Sequence, residues 1–156
     1  MRTKEEDLTH YLSMVASMHG DRESVDGWLL KHGQFFPHAD RPASIPKMED
    51  KQCFANAFTV AMDDHSLRYC EGYATSFIPV LHAWCITEDG DVVDPTWGQI
   101  DADYWPPAYF GVAFDLNAVA KQLVVQEHYG ILPSLWMSKT DPTELLQEPQ
   151  QRKVRS

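Results

Sequence analysis

The residue types of an activated thiol occur in three short segments of the chain. Cys53 is followed by small and aromatic residues, His82 lies in the run Leu81-His82-Ala83-Trp84, and Asp94 begins the run Asp94-Pro95-Thr96-Trp97. An imidazole close to a thiol accepts its proton, and a carboxylate orients the imidazole and favours its charged form. The three residues therefore predict a nucleophile, Cys53, a general base and acid, His82, and an orienting group, Asp94.

A helix start is predicted at Cys53. The apolar residues of 54–61 recur at helical spacing, and Asp50 is a candidate for the N-cap. The N-terminus of a helix carries partial positive charge, which stabilises a thiolate and so activates it as a nucleophile. The alternative is that Cys53 is a buried structural thiol, which is the role that we expect for Cys70 and Cys85.

A hairpin is predicted to carry His82 and Asp94 on its two arms, and the length of its loop decides whether they meet. A two-residue loop places Asp94 opposite Cys85, on the face away from His82. A three-residue loop, Glu88-Asp89-Gly90, places Asp94 opposite Trp84 and diagonal to His82. Its third position needs a left-handed residue, and the glycine supplies one. We therefore predict the three-residue loop.

In that register the three functional groups form a chain of contacts. Diagonal neighbours across a hairpin have Cα atoms about 7–8 Å apart, a distance that a carboxylate and an imidazole can bridge by leaning together. We predict a hydrogen bond between His82 Nδ1 and Asp94, with His82 Nε2 turned toward Cys53.

The rest of the pattern predicts an α+β fold. N-terminal helices and the central helix that begins at Cys53 are expected to pack on a small antiparallel sheet that carries His82 and Asp94. The predicted helices are 4–18, 24–32, 53–62 and 116–129, with Met18 and Val124 among the inward residues and Gly130 as the stop; the predicted strands are 68–77, 80–87, 92–94 and 109–114. Residues 34–50 are predicted as a loop, 1–138 as one domain and 139–156 as a mobile tail.

Composition limits the partners and the compartment. The chain has 156 residues, 44% of them hydrophobic, and 13 basic against 23 acidic residues give a net charge of −10. A chain this acidic has no general attraction for nucleic acid or anionic lipid, so neither is expected as a partner. No signal peptide and no bilayer-spanning run is evident, and three irregularly spaced cysteines do not resemble a disulfide framework. We expect a cytoplasmic protein with free thiols.

Four of the motifs together resemble a known family. Cys53, Gly72-Tyr73, His82-Ala83-Trp84 and Asp94-Pro95-Thr96 follow the order typical of the transglutaminase-like superfamily, which has the papain-like cysteine hydrolase fold. The resemblance extends over residues 50–97, and the run Tyr109-Phe110-Gly111-Val112 is similar to one in small bacterial and phage relatives. It implies the same three roles for Cys53, His82 and Asp94. It also implies thiol-mediated acyl transfer of the protease, amidase, deamidase or transglutaminase type.

Several residues could supply the second donor of an oxyanion hole, and the sequence does not choose between them. The backbone N–H of Cys53 is one donor. Gln52 is adjacent, Gln34 lies upstream, and the Trp28 indole is a weaker candidate. Asn56 lies one turn after Cys53, where it either orients the site or holds a loop.

The aromatic residues near the histidine and aspartate segments have two interpretations. Trp84, Trp97 and Tyr109 either pack in the core or form the wall of a substrate groove. A groove of this kind suits a peptide, a protein side chain or a small amide.

Two other functions are alternatives to acyl transfer. A zinc-dependent hydrolase is disfavoured, because strand alternation separates His82 from Cys85 and no Cys-x-x-Cys pair occurs. No cofactor or metal, calcium included, is implied. A catalytically idle binding protein on the same fold is the main alternative. Oligomeric state is left open.

Overall fold

The protein has an α+β fold, as predicted. The computed structural model describes residues 3–18, 24–75, 78–97, 107–134 and 142–147. These residues form four α-helices and one five-stranded antiparallel sheet. The helices are α1 (Lys4–Met18), α2 (Val25–His32), α3 (Cys53–Asp63) and α4 (Leu116–Gln126), and the strands are β1 (Gln34–Phe36), β2 (Arg68–Thr75), β3 (Pro79–Ile86), β4 (Val92–Val93) and β5 (Ala108–Ala113). Two short 3-10 helices cover Leu132–Ser134 and Pro142–Leu145.

The sheet has the strand order β1-β5-β2-β3-β4, with every neighbouring pair antiparallel. The edge strand β1 lies in the segment 34–50 that was predicted as a loop. This expectation was wrong because three residues are too few to show alternation, and pairing with β5 creates the strand.

The two faces of the sheet are covered differently. The helices pack on one face, where Leu12 of α1, Leu29 of α2 and Ala57 of α3 are fully buried. The other face carries a smaller cluster that includes Trp84 and Cys70. Strand alternation separates these clusters, as expected. Within the described residues, no helix combines the length and apolar character needed to cross a bilayer.

Several helix boundaries and inward residues differ from the predictions. The last helix ends at Gln126, and Glu127 forms its C-cap with a left-handed φ of 63°, so Gly130 is not the stop. Val124 and Met18 are 79% and 77% exposed rather than inward. Both lie in the last turn of a helix, where the apolar stripe runs past the end of the sheet that it covers.

The hairpin adopts the predicted three-residue loop. Cys85 pairs with Val93, and Thr87 N–H donates to Asp91 O at 2.9 Å, which closes the loop around Gly90. Gly90 has a φ of +89°, the left-handed conformation that the loop was expected to require. The register therefore places Asp94 on the same face as His82.

A buried carboxylate connects the sheet to the segment after α4. Glu71 of β2 is fully buried and accepts hydrogen bonds from the Ile131 and Leu132 N–H groups and from the Tyr69 hydroxyl. Burial raises the pKa of Glu71 to about 7, although these donors oppose the shift. The bonds hold the turn after α4 against the helix-covered face.

Part of the predicted tail belongs to the folded body. Leu146 bridges Phe114, and Gln147 N–H donates to Ala113 O at 3.0 Å. The Trp28 indole N–H donates to Thr143 Oγ1 at 3.0 Å. The boundary predicted at residue 138 is thus wrong for 142–147, which backbone hydrogen bonds anchor and whose Leu145 and Leu146 pack against the core. The rest of 139–156 lies outside the described residues.

Shortening the chain tests this anchoring. A protein ending at residue 141 should be less stable than one ending at residue 147, by about 1–3 kcal/mol, because it loses several hydrogen bonds and the burial of Pro142. Thermal unfolding of the two proteins should differ by several degrees. Equal melting temperatures would show that 142–147 contributes no stability.

Candidate active site

Cys53 occupies the start of α3, as predicted, and its side chain is half-buried. The N-cap is Gln52, whose side chain makes no capping hydrogen bond, so the expected cap at Asp50 is wrong. Lys51 has a left-handed φ of 66°, and this turn separates Asp50 from the helix. Asp50 instead accepts a hydrogen bond from Lys47 Nζ at 2.8 Å.

Asn56 ties together the two segments that flank the site. Its Nδ2 donates to Glu49 O at 2.8 Å, in the approach to α3, and to Thr96 Oγ1 at 3.0 Å, two residues after Asp94. The amide is thereby engaged inside the protein. Of the two roles predicted for Asn56, orienting the site and holding a loop, its bond to Glu49 O is a loop contact, and its bond to Thr96 connects that loop to the turn of Asp94.

His82 is buried and bonded to Asp94, but through the nitrogen opposite to the one predicted. Its Nε2 lies 2.7 Å from Asp94 Oδ2. Nδ1 is the nitrogen left to face the Cys53 side chain, which lies close enough to His82 to contribute to its pKa. The ring is therefore turned the opposite way from the one predicted.

Electrostatics favour the charged form of both partners. Burial lowers the pKa of His82, but the hydrogen bond and charge of Asp94, followed by those of Cys53, outweigh it and raise this pKa to about 9. Burial would raise the pKa of Asp94, but the His82 imidazolium and neighbouring donors keep it below its ordinary value. The pair is therefore an imidazolium and a carboxylate at neutral pH.

Four donors surround the Asp94 carboxylate. The backbone N–H groups of Thr96 and Trp97 donate to Oδ1 at 2.9 and 3.1 Å. Oδ2 accepts from the Tyr109 hydroxyl at 2.8 Å in addition to its bond with His82. This set orients the carboxylate and satisfies a charge that is only 6% exposed.

The aromatic residues divide between core and rim. Trp84 is fully buried and Tyr109 is 1% exposed, so of the two interpretations core packing applies to both, and neither lines a groove. Both side chains point to the small cluster on the site's face of the sheet, where alternation from His82 places them. Trp97 is only partly buried and stacks on His82 with ring centroids 4.1 Å apart. It remains a candidate groove wall and shields the imidazole.

Two glycines make this packing possible. Gly72 pairs with His82 on one side and with Gly111 on the other. A Cβ on Gly111 would lie 2.8 Å from Trp84 Cη2 and 2.3 Å from Glu71 O, and one on Gly72 would lie 2.1 Å from Phe110 O. Sequence analysis gave Gly111 no such role. The signal available was its place directly after two large aromatic residues of β5, Tyr109 and Phe110.

The other candidates for the second oxyanion donor differ in their distance from the site and in whether their side chains are already hydrogen-bonded. Gln34 is exposed on β1 and separated from His82 by β5 and β2, which is about 14 Å at the usual strand spacing, so it is excluded. The Trp28 indole donates to Thr143 and is likewise engaged elsewhere. Gln52 is exposed beside Cys53 with its side chain free of a capping bond, so it remains the candidate partner of the Cys53 backbone N–H.

A zinc site gains no support from the geometry. The Cys85 thiol donates to Ala57 O at 3.2 Å and lies on the face opposite to His82. No group of three or more histidine, cysteine, aspartate or glutamate side chains that could hold a metal ion is found in the part of the chain that the structure describes.

Comparisons with protein-family models, curated proteins and solved structures found no match.

The three cysteines should differ in reactivity. We expect iodoacetamide to alkylate Cys53 at pH 6.5 at least about tenfold faster than a free thiol, because the imidazolium of His82 favours a thiolate. Burial raises the pKa of both Cys70 and Cys85, so these should label slowly. Peptide mass spectrometry over time gives the rates. A His82→Gln variant in which Cys53 reacts as fast as in the native protein would contradict the pairing.

The raised pKa of His82 also predicts how stability changes with pH. A folded-state pKa above the ordinary 6.5 stabilises the protein fully below about pH 6.5, and this contribution falls as pH rises through about 9. The shift corresponds to about 3 kcal/mol. Urea unfolding should therefore show a larger loss of stability from pH 6.5 to 9.5 in the native protein than in His82→Gln. Glu71 titrates in both proteins, so its effect cancels, and identical losses would disprove the assignment.

Proposed function

We propose that the protein is a cysteine-dependent hydrolase or acyltransferase with Cys53, His82 and Asp94 as its catalytic groups. The observation that carries the proposal is the buried hydrogen bond between His82 and Asp94, with the half-buried Cys53 thiol close to the same imidazole. A cysteine with a purely structural role does not require an oriented imidazole beside it. A histidine with a purely structural role does not require a thiol beside it. The combination suits general acid–base activation of a nucleophile.

The reaction that we propose has two stages. The Cys53 thiolate attacks the carbonyl carbon of an amide or ester, and the carbonyl electron pair moves to oxygen. As the carbonyl re-forms, the carbon–nitrogen or carbon–oxygen bond breaks and the His82 imidazolium gives its proton to the leaving amine or alcohol. A thioester remains on Cys53. Water or an amine, deprotonated by His82, then attacks the thioester and releases the acyl group and the thiolate.

The start of α3 supplies stabilisation for the intermediate. The first N–H groups of a helix have no acceptor within the helix, and Cys53 is the first residue of α3. Its N–H and the helix dipole favour negative charge on the substrate oxygen. The exposed side chain of Gln52 is our candidate for the second donor.

The substrate class that we propose is a peptide, a protein side chain or a small amide. Trp97 lies over His82 and offers a partly exposed aromatic surface beside the nucleophile. The motif resemblance to the transglutaminase-like superfamily supports the same reaction class. Free cysteines at 53, 70 and 85 fit a reducing cytoplasm, where we place the protein.

Acylation by a simple ester tests the proposal. Mixing the protein with p-nitrophenyl acetate and quenching in acid should trap an acetyl thioester on Cys53, detected by peptide mass spectrometry. Cys53→Ala should give none at this position, and His82→Gln should acylate about 100-fold more slowly because the general acid–base group is lost. Cys70→Ala is the matched control and should acylate like the native protein. Failure of the native protein to acylate would favour the idle binding protein instead.

A further inference from the structure

We propose that Tyr109 is a positioning residue of this site, whose hydroxyl holds the Asp94 carboxylate ionised and turned toward His82. The inference rests on the proposed function and adds a fourth residue to its machinery. Tyr109 Oη donates to Asp94 Oδ2 at 2.8 Å, and the same oxygen accepts from His82 Nε2 at 2.7 Å. One carboxylate oxygen thus serves both the imidazole and the phenol.

Backbone N–H groups bond only one of the two oxygens of the Asp94 carboxylate. Oδ1 is bonded to the N–H groups of Thr96 and Trp97, which lie in the same turn as Asp94. These local bonds come with the chain and would form without the rest of the sheet. Oδ2 has no such local donor, so its orientation depends on His82 and on Tyr109 of β5. Tyr109 is therefore the outside support for the oxygen that contacts His82.

The sheet is built to let the Tyr109 ring reach Asp94. Tyr109 and Asp94 lie on strands that are separated by β2 and β3. The residues of β2 on that face are Cys70, Gly72 and Ala74, all small. The phenol ring packs with its centroid 5.1 Å from that of Trp84 and 6.0 Å from that of Trp97. Its position is therefore determined by packing on both sides.

The hydroxyl donates to the ionised carboxylate. Burial, followed by the charge of Asp94, raises the pKa of Tyr109 far above its ordinary value, so the phenol keeps its proton at any working pH. An ionised carboxylate is a stronger acceptor of this proton than a protonated carboxyl group. The bond therefore favours ionised Asp94, which in turn favours the imidazolium form of His82.

Four titratable groups face this part of the site. His82 of β3 bonds Asp94, and Cys53 of α3 lies close to His82. His38, from the segment after β1, stacks on the Tyr109 ring with centroids 6.3 Å apart. The buried Cys85 thiol lies near the charge of Asp94 on the other face of β3. Because the His38 ring is in direct contact with the Tyr109 ring, a His38→Gln variant is included in the test.

The experiment follows the His82–Asp94 hydrogen bond directly by proton NMR. An imidazolium N–H bonded to a carboxylate gives a low-field proton signal, which should disappear when Asp94 is protonated on acidification. In Tyr109→Phe the signal should disappear about one pH unit higher than in the native protein, because a charge-assisted hydrogen bond to the carboxylate is lost. The acetylation rate of Cys53 by p-nitrophenyl acetate should fall about tenfold.

A matched control separates positioning from loss of stability. Tyr73 is another buried tyrosine of the sheet, and its hydroxyl lies near a buried aspartate, Asp26, away from the site. Tyr73→Phe removes the same atom from beside a buried carboxylate. It should leave both the acid midpoint of the His82 signal and the acetylation rate unchanged, as should His38→Gln. An equal shift in Tyr73→Phe would mean that general destabilisation explains the effect, and would overturn the proposal.

A second variant should shift the midpoint in the opposite direction, and it keeps the Tyr109 hydroxyl. Replacing Tyr109 with 3,5-difluorotyrosine keeps the ring and strengthens the hydroxyl as a donor. The His82 signal should then persist to lower pH than in the native protein. An unchanged midpoint in both Tyr109 variants would refute the positioning role. Because the NMR signal needs no turnover, a midpoint that shifts in a protein that fails to acylate would refute the proposed function and retain the role of Tyr109.

Discussion

The buried carboxylate of Asp94 is the group on which the site depends. Removing an ion from water costs several kcal/mol, and only a full set of donors and an opposite charge offset that cost. Asp94 receives both, through two backbone N–H groups, one hydroxyl and the His82 imidazolium. The N–H groups come from the turn after Asp94, His82 is placed by the hairpin register, and the hydroxyl comes from Tyr109 of β5. Burying the charge therefore requires the turn, the hairpin and β5 to be in place together.

The opposite face of the sheet contains a second buried carboxylate with a different task. Glu71 accepts from two backbone N–H groups and a tyrosine hydroxyl, but no cation is among these partners. Burial raises its pKa to about 7, whereas the pKa of Asp94 is held below its ordinary value. The contrast indicates that the imidazolium contributes most to keeping Asp94 ionised, and that the donors, the Tyr109 hydroxyl among them, add to its effect. Glu71 fastens a loop, whereas Asp94 holds the His82 imidazole.

The glycine pair shows how packing serves the chemistry. Gly72 and Gly111 lie side by side, in line with His82, and neither position has room for a Cβ. The space is used by the large rings of Trp84 and Tyr109, which fill the site's face without a covering helix. A polar group can be buried here because aromatic rings exclude water around it while the Tyr109 hydroxyl satisfies it. Trp97 completes the enclosure over His82.

Local rules in the sequence determined the elements and the hairpin. The helical spacing after Cys53 defined α3, and the left-handed preference of Gly90 selected the loop that puts Asp94 on the His82 face. Both depend on backbone geometry within a few residues, which the sequence states directly. It also marked Cys53, His82 and Asp94 as candidates by residue type and order, and the structure brings His82 and Asp94 into contact. The α+β class followed from the same periodicities.

Contacts between residues far apart in the sequence decided the hydrogen-bond partners of the site residues and the anchoring of 142–147. Which nitrogen of His82 meets Asp94 depends on the diagonal placement of two side chains, and the engagement of Asn56 depends on a partner 40 residues away. Tyr109 was left open between core and groove wall and is a buried donor, since β5 lies between β1 and β2 inside the sheet. Segment 142–147 is held by backbone hydrogen bonds and by Leu145 and Leu146 packing on the core, contacts that form only in the folded chain. The sequence determines local conformation and chemical identity, whereas only the tertiary structure decides which partner each polar group finds, because those partners are brought together by packing.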